Sequence, residues 1–211
     1  MTAETRPTLI LASQSPRRAQ LLSMLGLDFE VLPADIDESY RPGEWPSAHA
    51  RRLAEEKALR VAATRPEAVV VGSDTVVVLD DEVLGKPRDP EEALRMLMRL
   101  QGREHRVETG IAVVGPTPAG SAPGRRPELR SGVEGVDVRF RAFGDDTARQ
   151  YIATGEPLDK AGAYGIQGHG ATLVERIDGD FFAVMGLPIV RMMALLEEIG
   201  WRYNFRGLEP V

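Results

Sequence analysis

Apolar residues follow two spacings along this chain, and the two spacings alternate. Thr8 to Ala12 and Val69 to Val71 are continuous apolar runs of the length expected for buried strands. Arg17 to Leu25 and Leu187 to Ile199 instead bring apolar side chains to one side of a helix. Strand-like and helix-like segments that follow one another in this way predict the α/β fold class.

Further elements are predicted from start signals and from alternation. Ser47 is placed to cap a long helix that runs to about Thr64, and Asp89 and Asp145 are placed to cap two more. Strand-like segments are expected at 28–33, 76–79, 105–114, 133–140 and 172–177. Because no internal repeat or compositional break divides these elements, we expect a single domain over residues 1–211, built as two lobes.

Two segments carry no strand or helix pattern. Residues 116–132 are rich in proline and glycine, so we expect an exposed, mobile loop there and attach no function to it. Arg125 and Arg126 within it are interpreted as a solvated charge pair of that loop. Residues 203–211 are expected to form a C-terminal tail.

Composition excludes several classes of function. The 211 residues include no cysteine, which excludes disulfides and thiolate zinc sites. His49, His105 and His169 lie far apart, so we assign them no metal and expect a hard cation on oxygens instead. The net charge of -6 argues against nucleic-acid binding. With no membrane-length apolar run and no signal-peptide core in Met1 to Thr8, we predict a soluble, cytoplasmic protein.

Four polar segments carry the candidate chemistry, and the richest is TGEPLDKAGAYGIQG at 154–168, whose glycines suit a binding loop. In SQSPRR at 13–18, Ser13 and Arg18 stand at a strand-to-helix junction that favours anions, although a capped helix start with solvated arginines explains it too. In GSDT at 72–75, Asp74 follows a predicted buried strand, where catalytic groups are common, although a turn aspartate is the alternative. Lys86 in GKPRD at 85–89 has no local structural explanation.

Taken together and in this order, these segments resemble the Maf family of nucleoside triphosphate pyrophosphatases. The resemblance covers about Leu9 to Leu196 and includes DIDE at 35–38, AEEKA at 54–58 and GLP at 186–188. It implies an elongated mixed β-sheet with flanking helices, and two lobes around a cleft, similar to the inosine-triphosphate pyrophosphatases. The implied reaction converts a nucleoside triphosphate into the monophosphate and pyrophosphate.

The resemblance also implies roles for individual residues. Asp74 matches the proton acceptor of the family, and Lys57 and Lys86 match its triphosphate-binding lysines. Three further positions match those that select the base: Arg17, Thr75 and Gln167. Relatives that prefer a methylated guanine nucleotide carry tryptophan, glutamine and glutamate there, so this chain looks like the dTTP/UTP branch.

The chemistry of the reaction is consistent with these residues. Cleavage between the α- and β-phosphates needs an aimed water, neutralised phosphate oxygens and a divalent cation such as Mg²⁺ or Mn²⁺. We expect Ser13 and Arg18 to help hold the phosphates, and Glu38 to hold the metal together with Asp74. Gln167 offers both a donor and an acceptor to the edge of thymine or uracil.

Three alternatives stay open at this stage. The first is a 7-methyl-GTP pyrophosphatase of the same family. The second is a nucleotide-binding regulator of cell division without turnover, suggested by the historical link of the family with septum formation. The third is a phosphatase that removes only the terminal phosphate. The sequence also leaves open whether the protein is a homodimer.

Overall fold

A mixed β-sheet with helices on both faces forms the centre of the computed structural model, which describes residues 7–117, 120 and 127–211. The predicted α/β class is confirmed. The strands are β1 (Leu9–Leu11), β2 (Glu30–Val31), β3 (Val69–Leu79), β4 (Glu82–Leu84), β5 (Glu104–Val114), β6 (Leu129–Phe140), β7 (Val174–Asp178), β8 (Trp201–Tyr203) and β9 (Leu208–Pro210). The helices are α1 (Pro16–Met24), α2 (Pro46–Ala62), α3 (Pro90–Leu100), α4 (Asp145–Ala153), α5 (Phe181–Met185) and α6 (Ile189–Glu198).

The sheet changes from parallel to antiparallel at β3. Its order is β2-β1-β3-β5-β6-β7, and β4 also pairs with β3. β1 is parallel to both β2 and β3, whereas the other pairs of this sheet are antiparallel. β8 and β9 form a separate two-stranded sheet, so the segment expected as a tail from residue 203 contains strand structure.

The helices divide the apolar core into three clusters. One face of the sheet packs against α2, whose alanines meet Ile10, Val70 and Ala112. On the other face, α1 and α6 cover the end of the sheet near Val71 and Val113. α3 and α4 cover the opposite end of that same face, around Phe140. Two apolar clusters thus lie on one face of the sheet, with the buried polar side chains of Ser73 and Thr109 between them.

One edge of β3 is left without a strand partner in its middle. β1 pairs with β3 only up to Val71, and β4 begins to pair at Val77. Within the described residues, no strand covers Gly72 to Val76 on that side, while β5 pairs with the whole segment on the other side. The chain segments that follow β1 and β4 therefore flank an open stretch of β3.

Helix α2 lies unusually close to the sheet, because glycines face it. A Cβ on Gly110 of β5 would fall on the Ala50 carbonyl of α2, and a Cβ on Gly72 of β3 would fall on the Ala54 carbonyl. Gly72 and Asp74 share one face of β3, since side chains alternate along a strand. The close approach therefore brings α2 directly over Asp74.

Several predicted boundaries are wrong for identifiable reasons. GSDT lies inside one continuous strand, since β5 pairs with β3 from Val70 to Val78 and keeps it extended. The predicted mobile loop at 116–132 overlaps β6, because residues 129–132 pair with β5. The remainder of that loop lies partly outside the described residues, as do Arg125 and Arg126.

The helix starts confirm one of the three predicted N-cap residues. Asp89 caps α3 as predicted, and its Oδ1 accepts a hydrogen bond from the Glu92 N–H at 2.7 Å. Ser47 does not cap α2, because the helix already begins at Pro46 and Trp45 takes the cap position. Asp145 lies in the first turn of α4, one residue after the cap position at Gly144. The short helix α5 was not predicted.

We predict that Gly110→Ala separates α2 from the sheet. The added methyl group meets backbone, which cannot rotate away, so the free energy of unfolding should fall by about 1–3 kcal/mol or more. Urea unfolding followed by circular dichroism measures this loss. Gly85→Ala is the matched control, because an added Cβ there meets nothing within 4 Å. Equal stability of the two variants would contradict the packing described here.

Candidate active site

A cavity of about 840 Å³ opens at the uncovered edge of β3. Its volume lies within the usual range of small-molecule sites. The residues predicted for the site all line it: Ser13, Arg17, Arg18, Glu38, Lys57, Asp74, Thr75, Lys86 and Gln167. The structure thus brings together nine side chains that span most of the sequence.

The topology of the sheet explains why these motifs meet. SQSPRR follows β1 and GKPRD follows β4, and these are the two strands that flank the open stretch of β3. GSDT is part of that open stretch. The glycine-rich segment closes the cavity from the far side, where the Gly162 N–H donates to the Gly85 carbonyl at 3.1 Å.

A lysine joins two carboxylates at the floor of the cavity. Lys57 Nζ donates to Asp74 Oδ1 at 2.7 Å and lies 2.6 Å from Glu38 Oε1. The Lys57 side chain is buried and the Asp74 side chain is 13% exposed, whereas the Glu38 side chain is 54% exposed. Partial burial raises the pKa of Glu38, but the Lys57 hydrogen bond and nearby positive charges outweigh it and leave this pKa below its ordinary value. The Glu38 and Asp74 carboxylates therefore share the Lys57 ammonium group at the edge of the open cavity.

Arg18 connects three parts of the cavity wall. Its Nε donates to the Gly186 carbonyl at 2.7 Å. Nη1 donates to Ser13 Oγ at 3.1 Å, and Nη2 donates to Thr75 Oγ1 at 3.2 Å. Burial lowers the pKa of the guanidinium, and the Asp74 carboxylate opposes that effect. Of the five N–H bonds, one on each terminal nitrogen stays available to a ligand.

Asp74 and Thr75 project from opposite faces of β3. Asp74 faces α2, whereas Thr75 faces α5 and the chain that follows it. Thr75 Oγ1 lies 3.0 Å from Thr109 Oγ1, which is itself 2.8 Å from the Ala183 carbonyl oxygen. Thr75 is therefore fixed by polar contacts that do not involve Asp74.

The remaining predicted residues lie at the rim of the cavity. Lys86 and Gln167 are exposed. Arg17 Nη1 lies 3.4 Å from Asp159 Oδ2, and Asp159 Oδ1 accepts from Lys160 Nζ at 2.6 Å. Asp159 and Lys160 were not singled out from the sequence, although LDK is part of the segment that we considered richest.

Lysine is confined to this cavity. The chain has only three lysines, Lys57, Lys86 and Lys160, and all of them line it. Arginine supplies all the other side chains counted as positively charged at pH 7. An ammonium group is a compact charge with three donors, while guanidinium is a planar fork. The distribution of lysine thus gives a signal for the site that neither the motifs nor the net charge provides.

A stacked aromatic pair in the cavity wall could not be found from the sequence. The rings of Tyr40 and His49 are 3.6 Å apart and nearly parallel, at 10°. Glu44 Oε2 lies 3.0 Å from His49 Nδ1, and Arg52 donates to both Glu44 oxygens at 2.6 and 2.8 Å. Hydrogen bonds from Arg52 lower the pKa of Glu44 to about 2. These contacts join a loop to α2, and no sequence pattern indicates them.

The carboxylates that line the cavity fit a divalent cation that is shared with a substrate. Over residues 7–117, 120 and 127–211, no three histidine, cysteine or acidic side chains form a metal site of their own. Mg²⁺ in nucleotide sites is usually held by one or two carboxylates together with substrate phosphates and waters. Glu38 and Asp74 fit that kind of shared site, since both present oxygens at the same point of the cavity.

Behind the cavity wall, His105 supports Tyr164. His105 is buried, and its Nε2 lies 2.8 Å from the Tyr164 hydroxyl, while Nδ1 has no partner among the described residues. Burial lowers the pKa of His105 to about 4. The imidazole is therefore a neutral part of the core.

Comparison with known proteins agrees with this geometry. The family described as "Maf-like protein" matches residues 8–199. This chain belongs to the Maf family. It is 46% identical to the dTTP/UTP pyrophosphatase of Aquifex aeolicus, with 90% of this chain and 95% of the relative covered. It is 50% identical to the dTTP/UTP pyrophosphatase of Moorella thermoacetica, with 91% and 95% covered.

Two further observations concern this Maf-family chain as a whole. A solved structure of a HAM1 protein from Coxiella burnetii is a distant likeness, with a TM-score of 0.38, 17% identity, and 63% of this chain and 73% of that chain covered. Every helix in the described part of the chain falls short of the length and apolarity that a bilayer crossing requires.

His105 predicts a pH dependence of stability. The unfolded histidine takes up a proton near pH 6.5, whereas the folded one stays neutral until about pH 4. Stability should therefore fall as the pH falls through this window, by about 2 kcal/mol between pH 7 and pH 5. His105→Gln should flatten the wild-type curve of unfolding free energy against pH, as measured by urea titration. His169→Gln, at an exposed site, should not. An unchanged slope in His105→Gln would contradict this account.

Proposed function

We propose that this chain hydrolyses dTTP and UTP to the nucleoside monophosphate and pyrophosphate. The observation that carries the proposal is the meeting of Asp74 and Glu38 on Lys57, at an open strand edge inside a nucleotide-sized cavity. Relatives that are 46% and 50% identical over nearly their whole length bear the name dTTP/UTP pyrophosphatase. A free nucleotide in the cytoplasm is thus the proposed partner, and the net charge of -6 gives no general attraction to nucleic acid.

The triphosphate binds to the basic side chains of the cavity. Lys57 and Lys86 supply ammonium groups, and Arg18 supplies the two N–H bonds that its contacts with the protein leave available. Ser13 Oγ adds a hydroxyl beside the guanidinium. Charge-assisted hydrogen bonds of this kind contribute about 1.5–3 kcal/mol each. Together they hold the α-phosphate near Asp74.

Asp74 orients the attacking water and takes its proton. The water oxygen forms a bond to the α-phosphorus while the bond from that phosphorus to the bridging oxygen breaks. The bridging oxygen leaves with pyrophosphate, and the proton of the water passes to the Asp74 carboxylate. Lys57 holds Asp74 in place through its 2.7 Å contact. Positioned proton acceptors contribute about 10²–10⁴-fold to the rate.

Glu38 and Asp74 would hold a divalent cation, Mg²⁺ or Mn²⁺. When bound, such a cation neutralises charge on the phosphates and on the leaving pyrophosphate. Glu38 is suited to this role because its side chain is half exposed and still lies against Lys57.

Arg17, Thr75 and Gln167 select the base. Gln167 is exposed at the rim, where its amide offers a donor and an acceptor to the thymine or uracil edge. Thr75 limits the depth of the cavity on the opposite face of β3 from Asp74, and Arg17 extends along the rim toward Asp159.

The first test is product analysis with UTP and Mg²⁺. We expect UMP and pyrophosphate from the wild type, and a rate lower by about 10²–10⁴-fold for Asp74→Asn, which keeps the shape and removes the proton acceptor. Asp81→Asn, in an exposed turn, is the matched control and should keep full activity. Orthophosphate as the product would indicate a terminal phosphatase. Binding without any product would indicate a regulator.

The second test is the choice of nucleotide. When a wrong base occupies the site, polar groups of the protein that the bound nucleotide covers are left without partners. This reduces kcat/KM by as much as about 10⁴–10⁵-fold. We therefore expect the wild type to prefer dTTP and UTP strongly over 7-methyl-GTP, GTP and ATP. Gln167→Glu should reduce kcat/KM for UTP by removing the amide donor, while Gln20→Glu on the exposed side of α1 should not. A wild-type preference for 7-methyl-GTP would contradict the assignment to the pyrimidine branch.

A further inference from the structure

The Glu156 carboxylate links the start of the glycine-rich segment to the residues directly after its end. Glu156 Oε1 accepts from the Gly170 N–H at 3.1 Å, and Oε2 accepts from the His169 N–H at 2.9 Å. Glu156 stands near the start of the segment, and its two backbone donors stand directly after its end. The carboxylate therefore links positions thirteen and fourteen residues apart.

A buried tyrosine from α4 completes this arrangement. The Tyr151 hydroxyl donates to Glu156 Oε1 at 2.8 Å and accepts from the Gly165 N–H at 3.0 Å. Tyr151 is only 5% exposed, so this contact ties the segment to the folded core. Partial burial raises the pKa of Glu156, but hydrogen bonds from the His169 N–H, Tyr151 and the Gly170 N–H outweigh it and leave this pKa below its ordinary value.

The three backbone donors enclose Gln167. Gly165 is held on one side, and His169 and Gly170 are held on the other. Gln167 precedes a short 3-10 helix, Gly168–Leu173, and its side chain is exposed. A glycine-rich segment of this kind loses much conformational entropy when it is ordered. Contacts such as these contribute to its order.

We propose that Glu156 and Tyr151 are positioning residues that fix Gln167 for recognition of the pyrimidine edge. This inference rests on the proposed function, because it assigns the base-selecting role to Gln167. Neither residue needs to touch the nucleotide. Both act by holding the backbone on either side of Gln167, so that its amide meets the base in one orientation. A misplacement of about 1 Å can cost about 10²-fold in rate at a reacting centre, and a hydrogen bond to a base edge also weakens steeply as its distance and angle change.

The test combines amide exchange with nucleotide binding. Glu156→Gln replaces one carboxylate oxygen by an N–H donor that cannot accept, and Tyr151→Phe removes one hydroxyl while keeping the ring. Exchange of the Gly165, His169 and Gly170 amides, followed by NMR, should quicken about ten- to hundredfold, the equivalent of one charge-assisted hydrogen bond. Tyr151→Phe keeps the test valid if Glu156→Gln does not fold.

Binding is measured in the presence of Mg²⁺ with the α,β-methylene analogues of UTP and CTP, because a methylene bridge between the α- and β-phosphates cannot be hydrolysed. UTP and CTP differ at the edge that Gln167 would meet, so the ratio of their Kd values reports recognition of the base. Loss of folded protein lowers the amount of active sites equally for both nucleotides and leaves the ratio unchanged. We expect the preference for UTP to fall by about tenfold or more in both variants.

The matched controls make the same substitutions far from the cavity. Glu209→Gln affects a carboxylate that accepts from Arg202 and Asn204, and Tyr203→Phe affects a hydroxyl that donates to the Leu25 carbonyl. Neither should change the ratio. Unchanged amide exchange in the Glu156 and Tyr151 variants would show that these two side chains do not hold the backbone. Quicker exchange with an unchanged ratio would overturn their role in recognition. If the wild type binds neither nucleotide, the proposed function fails and the recognition role with it, while exchange still decides whether these two side chains hold the backbone.

Discussion

The approach of α2 to the sheet at Gly110 and Gly72 is the constraint on which the site depends. The contact fixes the backbone of α2 directly over the strand that carries Asp74, because a helix this close has no room to shift along or away from the sheet. Here the alanines of α2 rest against glycine backbone, and Lys57 meets Asp74 at 2.7 Å. Both positions are therefore restricted to glycine, because neither accepts a Cβ without moving the helix.

The incomplete edge of β3 provides the second constraint. Covering it with a longer β1 or β4 would satisfy more backbone groups, but would fill the place where the cavity opens. Both neighbouring strands stop after three residues instead, and each leads into a polar loop. β3 is thus paired with β5 along one edge, and the uncovered part of its other edge forms the site.

Sequence reasoning succeeded where local chemistry decides the outcome. Asp89 caps α3 through a contact only three residues away in the chain. The motifs that resemble a known family supplied residues that the fold brings to one cavity. The sequence analysis failed where residues far away in the chain determine the local structure. β5 keeps GSDT extended by pairing with it, and Tyr40 stacks on His49 across a loop. Glu156 gave no signal either, since its partners are backbone groups thirteen or more residues away.

The confinement of lysine to the cavity has a consequence for chemical labelling. Amine-reactive reagents attack unprotonated lysines and the chain terminus, and leave arginine untouched. In most proteins such reagents decorate the whole surface. In this chain, every lysine they could modify borders the same cavity, so acylation of lysine side chains would report directly on access to it. Apart from the chain terminus, the arginine-rich exterior offers these reagents no amine.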